Sequence, residues 1–241
     1  MNRTQEEQAF LDGYDPSAFE RPSVAVDVVI LTVAEGQLWT VLRPRDAHPH
    51  QGRWALPGGF VGPDESLDAA AARVLADKAG LSGVFLEQLY TFGAPARDPR
   101  MRIITVTYYA LVPAAELAGV NSGAVLAALD VPWAGESGGM VVPRDRGDEV
   151  LPTAFDHDEI LGLAVQRIRG KLAYTDIGFE LLPPAFTLRQ LRLVHEAILG
   201  QPLNKDSFRR KLLASGDLEP TGERQADVGH RPAALFRFTR A

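Results

Sequence analysis

Four cations lie within seven positions of the stretch Asn204-Lys-Asp-Ser-Phe-Arg-Arg-Lys211. Charged side chains gathered so densely suit phosphate oxygens. On a helix, Lys205 and Arg209 are i, i+4 neighbours; Arg210 and Lys211 extend the basic surface while Phe208 turns inward. Arg231, in a Gly-containing turn, and Arg237, in a following strand, are further candidates for the same polyanion. A second set of residues could hold a nucleotide: Arg43, Arg53 and Trp54, then Arg97, Asp98 and Arg102. Guanidinium groups make paired hydrogen bonds to diphosphate oxygens, and an indole offers a face to adenine. Between these, a Gly-rich loop runs into a helix over 59–81, carrying the carboxylates Glu65 and Asp77. Asp77 is expected to pair with Arg73, one turn back.

The elements that must position these groups follow from periodicity and caps. Val24 to Val33 is β-branched and bounded by Pro22 and Gly36, which predicts a buried strand, with Leu38 to Leu42 as its hairpin partner. Ser66 to Ala79 reads as a helix stopped by Gly80. Further strands are expected at Val84–Tyr90 and Ile103–Leu111. A helix from His157 to Leu172 should be capped by Asp156, with Glu159 completing the pattern. Thr187-Leu-Arg-Gln190 is a capping box for a helix whose apolar stripe is Leu188, Leu191, Val194 and Ile198. Asn204 caps the basic helix, Gly216 ends it, and Leu218 to Phe238 reads as two short strands around a polar loop. Residues 1–21 read as a loose arm. Residues 113–148, rich in Gly, Ala and Pro, read as an insertion containing a short helix.

Composition narrows the class. A length of 241 residues allows one large domain or two small ones, and 46% hydrophobic with 23% charged residues excludes wholesale disorder. With no cysteine, the chain has no disulfide framework, thiolate zinc site or cysteine nucleophile, and suits a reducing compartment. No signal peptide or membrane span is expected, so the expected location is cytoplasmic. The net charge of −6 is uneven: residues 185–241 hold ten Lys and Arg against six Asp and Glu, and the remainder hold 15 against 25. A basic tail behind an acidic body fits a chain whose tail alone meets a polyanion.

The stretch 59–81 resembles the Nudix box: Gly59, Glu65, Arg73, Leu75, Gly80 and Leu81 fall on its pattern, after Trp54-Ala-Leu-Pro-Gly-Gly. The resemblance implies an α/β fold, an N-terminal Nudix α/β/α sandwich. It also implies that the family's three metal-binding glutamates correspond to Val74, Asp77 and Lys78. Val74 and Lys78 share a helix face, so an apolar group and a cation stand where Mg²⁺ requires oxygen ligands. The box, with Gly59, Glu65, Arg73, Asp77 and Gly80, is therefore read as vestigial, with no catalytic residue and no metal site. Further on, Phe155-Asp-His-Asp-Glu-Ile, Lys171-Leu-Ala-Tyr-Thr-Asp-Ile, Leu181-Leu-Pro-Pro-Ala-Phe-Thr-Leu and Phe208-Arg-Arg-Lys-Leu are similar to Nudix-related transcriptional regulators. That family joins a degenerate Nudix domain to a winged helix-turn-helix. Its NAD-metabolism branch represses genes as a DNA-bound dimer and releases the operator when ADP-ribose fills the Nudix pocket. The resemblance implies residues 1–150 as a ligand-sensing domain and 151–241 as a DNA-binding domain. ADP-ribose is the implied effector, Mg²⁺ is not required, and double-stranded DNA and a second copy of the chain are the implied partners. Two alternatives stay open: an active ADP-ribose pyrophosphatase whose appended domain only dimerises, and a regulator of the same family that answers to a sugar phosphate.

Overall fold

The computed structural model describes residues 4–119, 123–226 and 232–239. In chain order the elements are α1 (Gln5–Gly13), β1 (Ser23–Ala34), β2 (Gln37–Pro44), β3 (Trp54–Ala55), β4 (Gly58–Phe60), α2 (Leu67–Ala79), β5 (Phe85–Phe92) and β6 (Ile103–Leu111). They continue with β7 (Val125–Asp130), β8 (Val142–Arg144), α3 (His157–Lys171), α4 (Leu188–Leu199), α5 (Lys205–Ser215), β9 (Leu218–Arg224) and β10 (Ala234–Phe238).

The central sheet runs β5-β6-β1-β2-β7-β8, with β3 attached to β2 and β4 to β1. Strand β1 pairs parallel with β6 and antiparallel with β2. Its alternation decides the layers. Val26, Val28 and Ile30 point to one face, where Val74 and Leu75 of α2 join them in one buried cluster. Val29 and Leu31 point to the other, into a cluster with Ile160 and Leu161 of α3 and Leu191 and Ile198 of α4. Burial on both faces is why β1 reads as an unbroken apolar run rather than an alternating one. Full burial of a Leu or Ile contributes about 2 kcal/mol, so Leu191 and Ile198, both fully buried, bind α4 firmly to the sheet. The result is the expected α/β/α sandwich, with α4 at once its outer layer and the first helix of the C-terminal unit.

Beyond α4, the turn at Gly200 (φ 68°) reverses the chain into α5. Gly200 sits in the left-handed region, where only glycine carries no Cβ penalty. Strands β9 and β10 pair antiparallel, and Phe236 exchanges backbone hydrogen bonds with Phe186 just ahead of α4. This is a winged helix: helix, turn, basic helix and two-stranded wing.

Three expectations are corrected. The stretch read as a loose arm contains α1, capped by Thr4, although none of its residues is buried. Residues 113–148 are not an insertion on the fold: β7 pairs with β2 and β8 with β7, which lengthens the sheet at that edge. The strands are short and β7 is half Ala and Asp, residues with weak strand preference, so their signal was faint. Finally, α3 starts without a side-chain cap, because the Asp156 carboxylate is engaged by Arg97 instead. Among the described residues no helix is long and apolar enough to cross a membrane.

Candidate functional site

A cavity of about 270 Å³ opens over β1, β3 and β4 beside the start of α3. Besides β3 and β4, four sections of chain build it. Asp27 projects from β1 and Arg45 follows β2; Arg97, Asp98 and Arg100 come from the β5–β6 connection; Phe155 and His157 come from the entry to α3. Arg97 donates to both Asp156 carboxylate oxygens at 2.8 and 2.6 Å and lies 3.7 Å from Asp27, so the connection and the helix entry are pinned together. Asp98, buried, accepts from the Arg100 backbone N–H and guanidinium at 2.7–3.0 Å. Those bonds hold its carboxyl below the usual carboxylate range. The guanidinium of Arg45 lies 4.7 Å from the Phe155 ring centroid. Burial and the neighbouring charge of Arg100 lower the Arg45 pKa, so this rim favours an anion. Phe155 itself holds φ 54°, a backbone strain of the kind concentrated at binding sites.

The sequence-based candidates divide. Arg97 and Asp98 line the cavity. Arg43, Arg53, Trp54 and Arg102 do not: Arg43 donates to the Lys78 carbonyl, Arg53 to the Thr153 carbonyl and Arg102 to the Ala94 carbonyl. Trp54 packs half-buried on the core of the α3–α4 face, its backbone bonded to Pro152 and Ala154. Arg100 stands in the basic stretch Arg97-Asp-Pro-Arg-Met-Arg102 that offers guanidinium groups to a diphosphate. Sequence reasoning misses Asp27, Arg45, Phe155 and His157; the last two lie in the stretch Phe155-Asp-His-Asp-Glu-Ile, which is notable only for its resemblance.

The loop-helix box is structurally occupied. Glu65 accepts from Arg73 at 2.6 and 3.0 Å and from the Gly62 N–H at 2.7 Å, which holds its pKa down to about 2. Glu65 is a direct partner of Arg73 because the loop brings it onto the guanidinium, and the charge of Asp77, the expected partner, acts on Arg73 as well. Val74 is buried, against Gly59 of β4, while Lys78 is exposed. Gly80 ends α2 in the left-handed conformation. A buried valine, an exposed lysine and a glutamate already bonded to arginine do not fit a Mg²⁺ site. Among the described residues no three His, Cys, Asp or Glu gather closely enough to hold a metal ion.

The second site is the outer face of the winged helix. Lys205, Arg209, Arg210 and Lys211 are all exposed on α5, while Phe208 and Leu212 pack inward as expected. Two arginines of α4, Arg189 and Arg192, border the same cleft as Lys205 and Arg209; they were missed because α4 was read for its apolar stripe alone. Arg237 faces elsewhere: it lies 3.7 Å from Glu219 and lines a groove with Phe179 and Pro183. Arg231 lies outside the described residues.

Comparison with known proteins accords with this layout. Residues 21–134 match the NUDIX domain and residues 178–238 the NrtR DNA-binding winged helix domain. An "ADPR responsive transcriptional repressor NtrR" of Acinetobacter baylyi is 38% identical over 234 residues, 96% of this chain and 88% of that protein. The crystal structure of Shewanella oneidensis NrtR complexed with a 27mer DNA is similar with TM-score 0.72 and 32% identity, covering 90% of this chain and 93% of that one. The NUDIX domain of the same protein, in complex with ADP ribose, is similar with TM-score 0.50 and 34% identity over 67% of this chain and 98% of that one.

Proposed function

The chain belongs to the Nudix-related NrtR family of regulators, and from that premise we propose that it is an ADP-ribose-responsive transcriptional repressor. Its winged helix binds DNA, and its Nudix domain binds ADP-ribose. The observation that carries this reading is the coexistence, in one chain, of a cavity lined by Arg45, Arg97 and Arg100 on the Nudix sheet and an exposed basic helix in the winged helix. ADP-ribose is taken in the cavity rimmed by Arg45 and Arg100, with the diphosphate against the guanidinium groups. DNA is taken by Lys205, Arg209, Arg210 and Lys211, and we assign Arg231 to the same role from its charge in the sequence.

Several finer points belong to the same proposal. The sensing function lies in 1–150 and the DNA-binding function in 151–241, although α3 and α4 of the second part pack on the sheet of the first. The chain is not a hydrolase, since Val74 and Lys78 supply no carboxylate, and it needs no metal. A single recognition helix buries little surface, so the chain acts as a homodimer on a palindromic site with half-sites one helical turn apart. The regulated genes are those of NAD biosynthesis or salvage, and the compartment is the cytoplasm.

For ADP-ribose to release DNA, it must bind the free conformation more tightly than the DNA-bound one. A tenfold loss of DNA affinity takes about 1.4 kcal/mol of that difference. A gel shift on the gene's own upstream DNA tests the whole reading. The expected result is a retarded band that ADP-ribose releases, with no AMP formed on incubation with Mg²⁺. Absence of the band together with steady AMP production would mean that the chain is a pyrophosphatase.

A further inference from the structure

The floor of the cavity contains a donor and an acceptor that face each other without touching. His157 is 3% exposed, and its Nδ1 accepts the Leu56 backbone N–H at 2.9 Å. A nitrogen that accepts carries no proton, so the neutral ring must carry its proton on Nε2. That N–H has no hydrogen-bond partner among the described residues; Asp27 Oδ1 lies 3.9 Å away. The other Asp27 oxygen is already used, accepting from the Thr105 hydroxyl at 2.8 Å. Both groups line the cavity. Gly58 closes in from β4 so tightly that a Cβ there would lie 2.1 Å from Oδ1, and Oδ1 is therefore held in place.

Both side chains line the cavity and keep pairing capacity that a ligand can use. One atom group satisfies both at once: a hydroxyl, which accepts from Nε2–H and donates to Oδ1. An ammonium would meet the N–H with a like donor, and a phosphate would meet the Asp27 charge. Above this floor stand the cations Arg45 and Arg100, which suit phosphate. The order from floor to rim is thus hydroxyl, then anion. Thr105 and Arg97 back Asp27 on its other oxygen, so a group that pairs with Oδ1 comes from the cavity. At about 270 Å³ it lies just below the range of whole small-molecule sites, room for one sugar of a dinucleotide.

We propose that Asp27 and His157 form a subsite for a hydroxyl of the terminal ribose of the effector, which makes these two residues the ones that tell ADP-ribose from ADP. The inference rests on the proposed effector, and its test separates the two. Calorimetry on the full chain with ADP-ribose and with ADP compares the natural protein, His157→Asn and Asp27→Asn. The asparagine oxygen at 157 stands the same number of bonds from Cβ as Nδ1, so it can still accept from Leu56 while Nε2 is deleted. The expected result is a loss of about tenfold in ADP-ribose affinity in either variant, with ADP affinity unchanged. Equal losses for both ligands, or no loss, would overturn the subsite. Should Asp27→Asn unfold, His157→Asn decides alone, its thermal midpoint without ligand serving as control. If the natural chain does not bind ADP-ribose, the effector reading fails; ribose 5-phosphate then replaces it, and sensitivity of its binding to His157→Asn sustains the subsite while indifference ends it.

Discussion

Single side chains in this molecule often hold a different office from the one their type suggests. Trp54 could face adenine, yet it is worth more as a wedge on the core, and Glu65 could hold a metal, yet Arg73 claims it. His195 is the clearest titrating case. It lies within α4, its ring 5.0 Å from that of Phe208 on α5. Burial, helped by the charge of Lys211, brings its pKa from 6.5 down to about 4. The sign follows from which state takes the proton. Below pH 6.5 the unfolded chain is protonated at this ring and the folded chain is not until about pH 4, so the contribution is complete above 6.5 and lost as pH falls through that window. The loss amounts to about 3 kcal/mol. Urea unfolding followed from pH 7.5 to 4 should show this decline, and His195→Gln should remove most of it. Parallel curves for the two proteins would mean that the ring is not the titrating group.

Helix α5 is lightly supported by packing and highly charged: none of its residues is fully buried. Its cap, Asn204, accepts from the Ser207 N–H at 2.9 Å, and Phe208 and Leu212 alone bind it to the body. An element so exposed tolerates surface changes within about half a kcal/mol. Replacing Arg209 and Arg210 together by Ala should therefore leave the melting temperature in place while operator binding falls at least about tenfold. The plot of log affinity against log salt should become shallower by about two units, since two phosphate contacts are removed. Undiminished gel-shift binding would show that another element reads the DNA.

In the molecule as a whole, α3 is the physical link between the two sites. Its first residue, His157, lies in the cavity, and near its other end Arg169 reaches the Ile198 carbonyl of α4 at 2.7 Å and the Trp133 and Gly135 carbonyls at 3.0 and 3.1 Å. Its ring neighbour is Trp133, 4.5 Å away. The buried guanidinium thus ties one carbonyl at the C-terminal end of α4, directly before the turn into α5, to two carbonyls of the segment after β7. Arg169→Leu keeps the apolar contact and leaves three carbonyls without a donor, which should cost about 3 kcal/mol by urea unfolding. ADP-ribose should then bind as before but release DNA less, read as the ratio of DNA affinities with and without the ligand. A variant with unaltered release would place the coupling outside this contact.

What the amino-acid order determined by itself was whatever neighbours in the chain decide. Runs of apolar residues at spacings of two or of three to four set β1, α2, α4 and α5. Ser66, Thr187 and Asn204 set helix starts, and the cluster Lys205–Lys211 announced its own charge. These are local matters, legible in a window of a dozen residues. The tertiary structure alone decided which polar groups come together: Asp27 opposite His157, Arg97 with Asp156, Glu65 with Arg73, Arg169 with the end of α4. The cavity proposed for the ligand draws on positions 27, 45, 97 and 157, brought together by the sheet and the helices packed across it. Burial then changes what each group can do, because a hydrogen bond or charge in a closed space is matched by its spatial neighbours and not by those beside it in sequence.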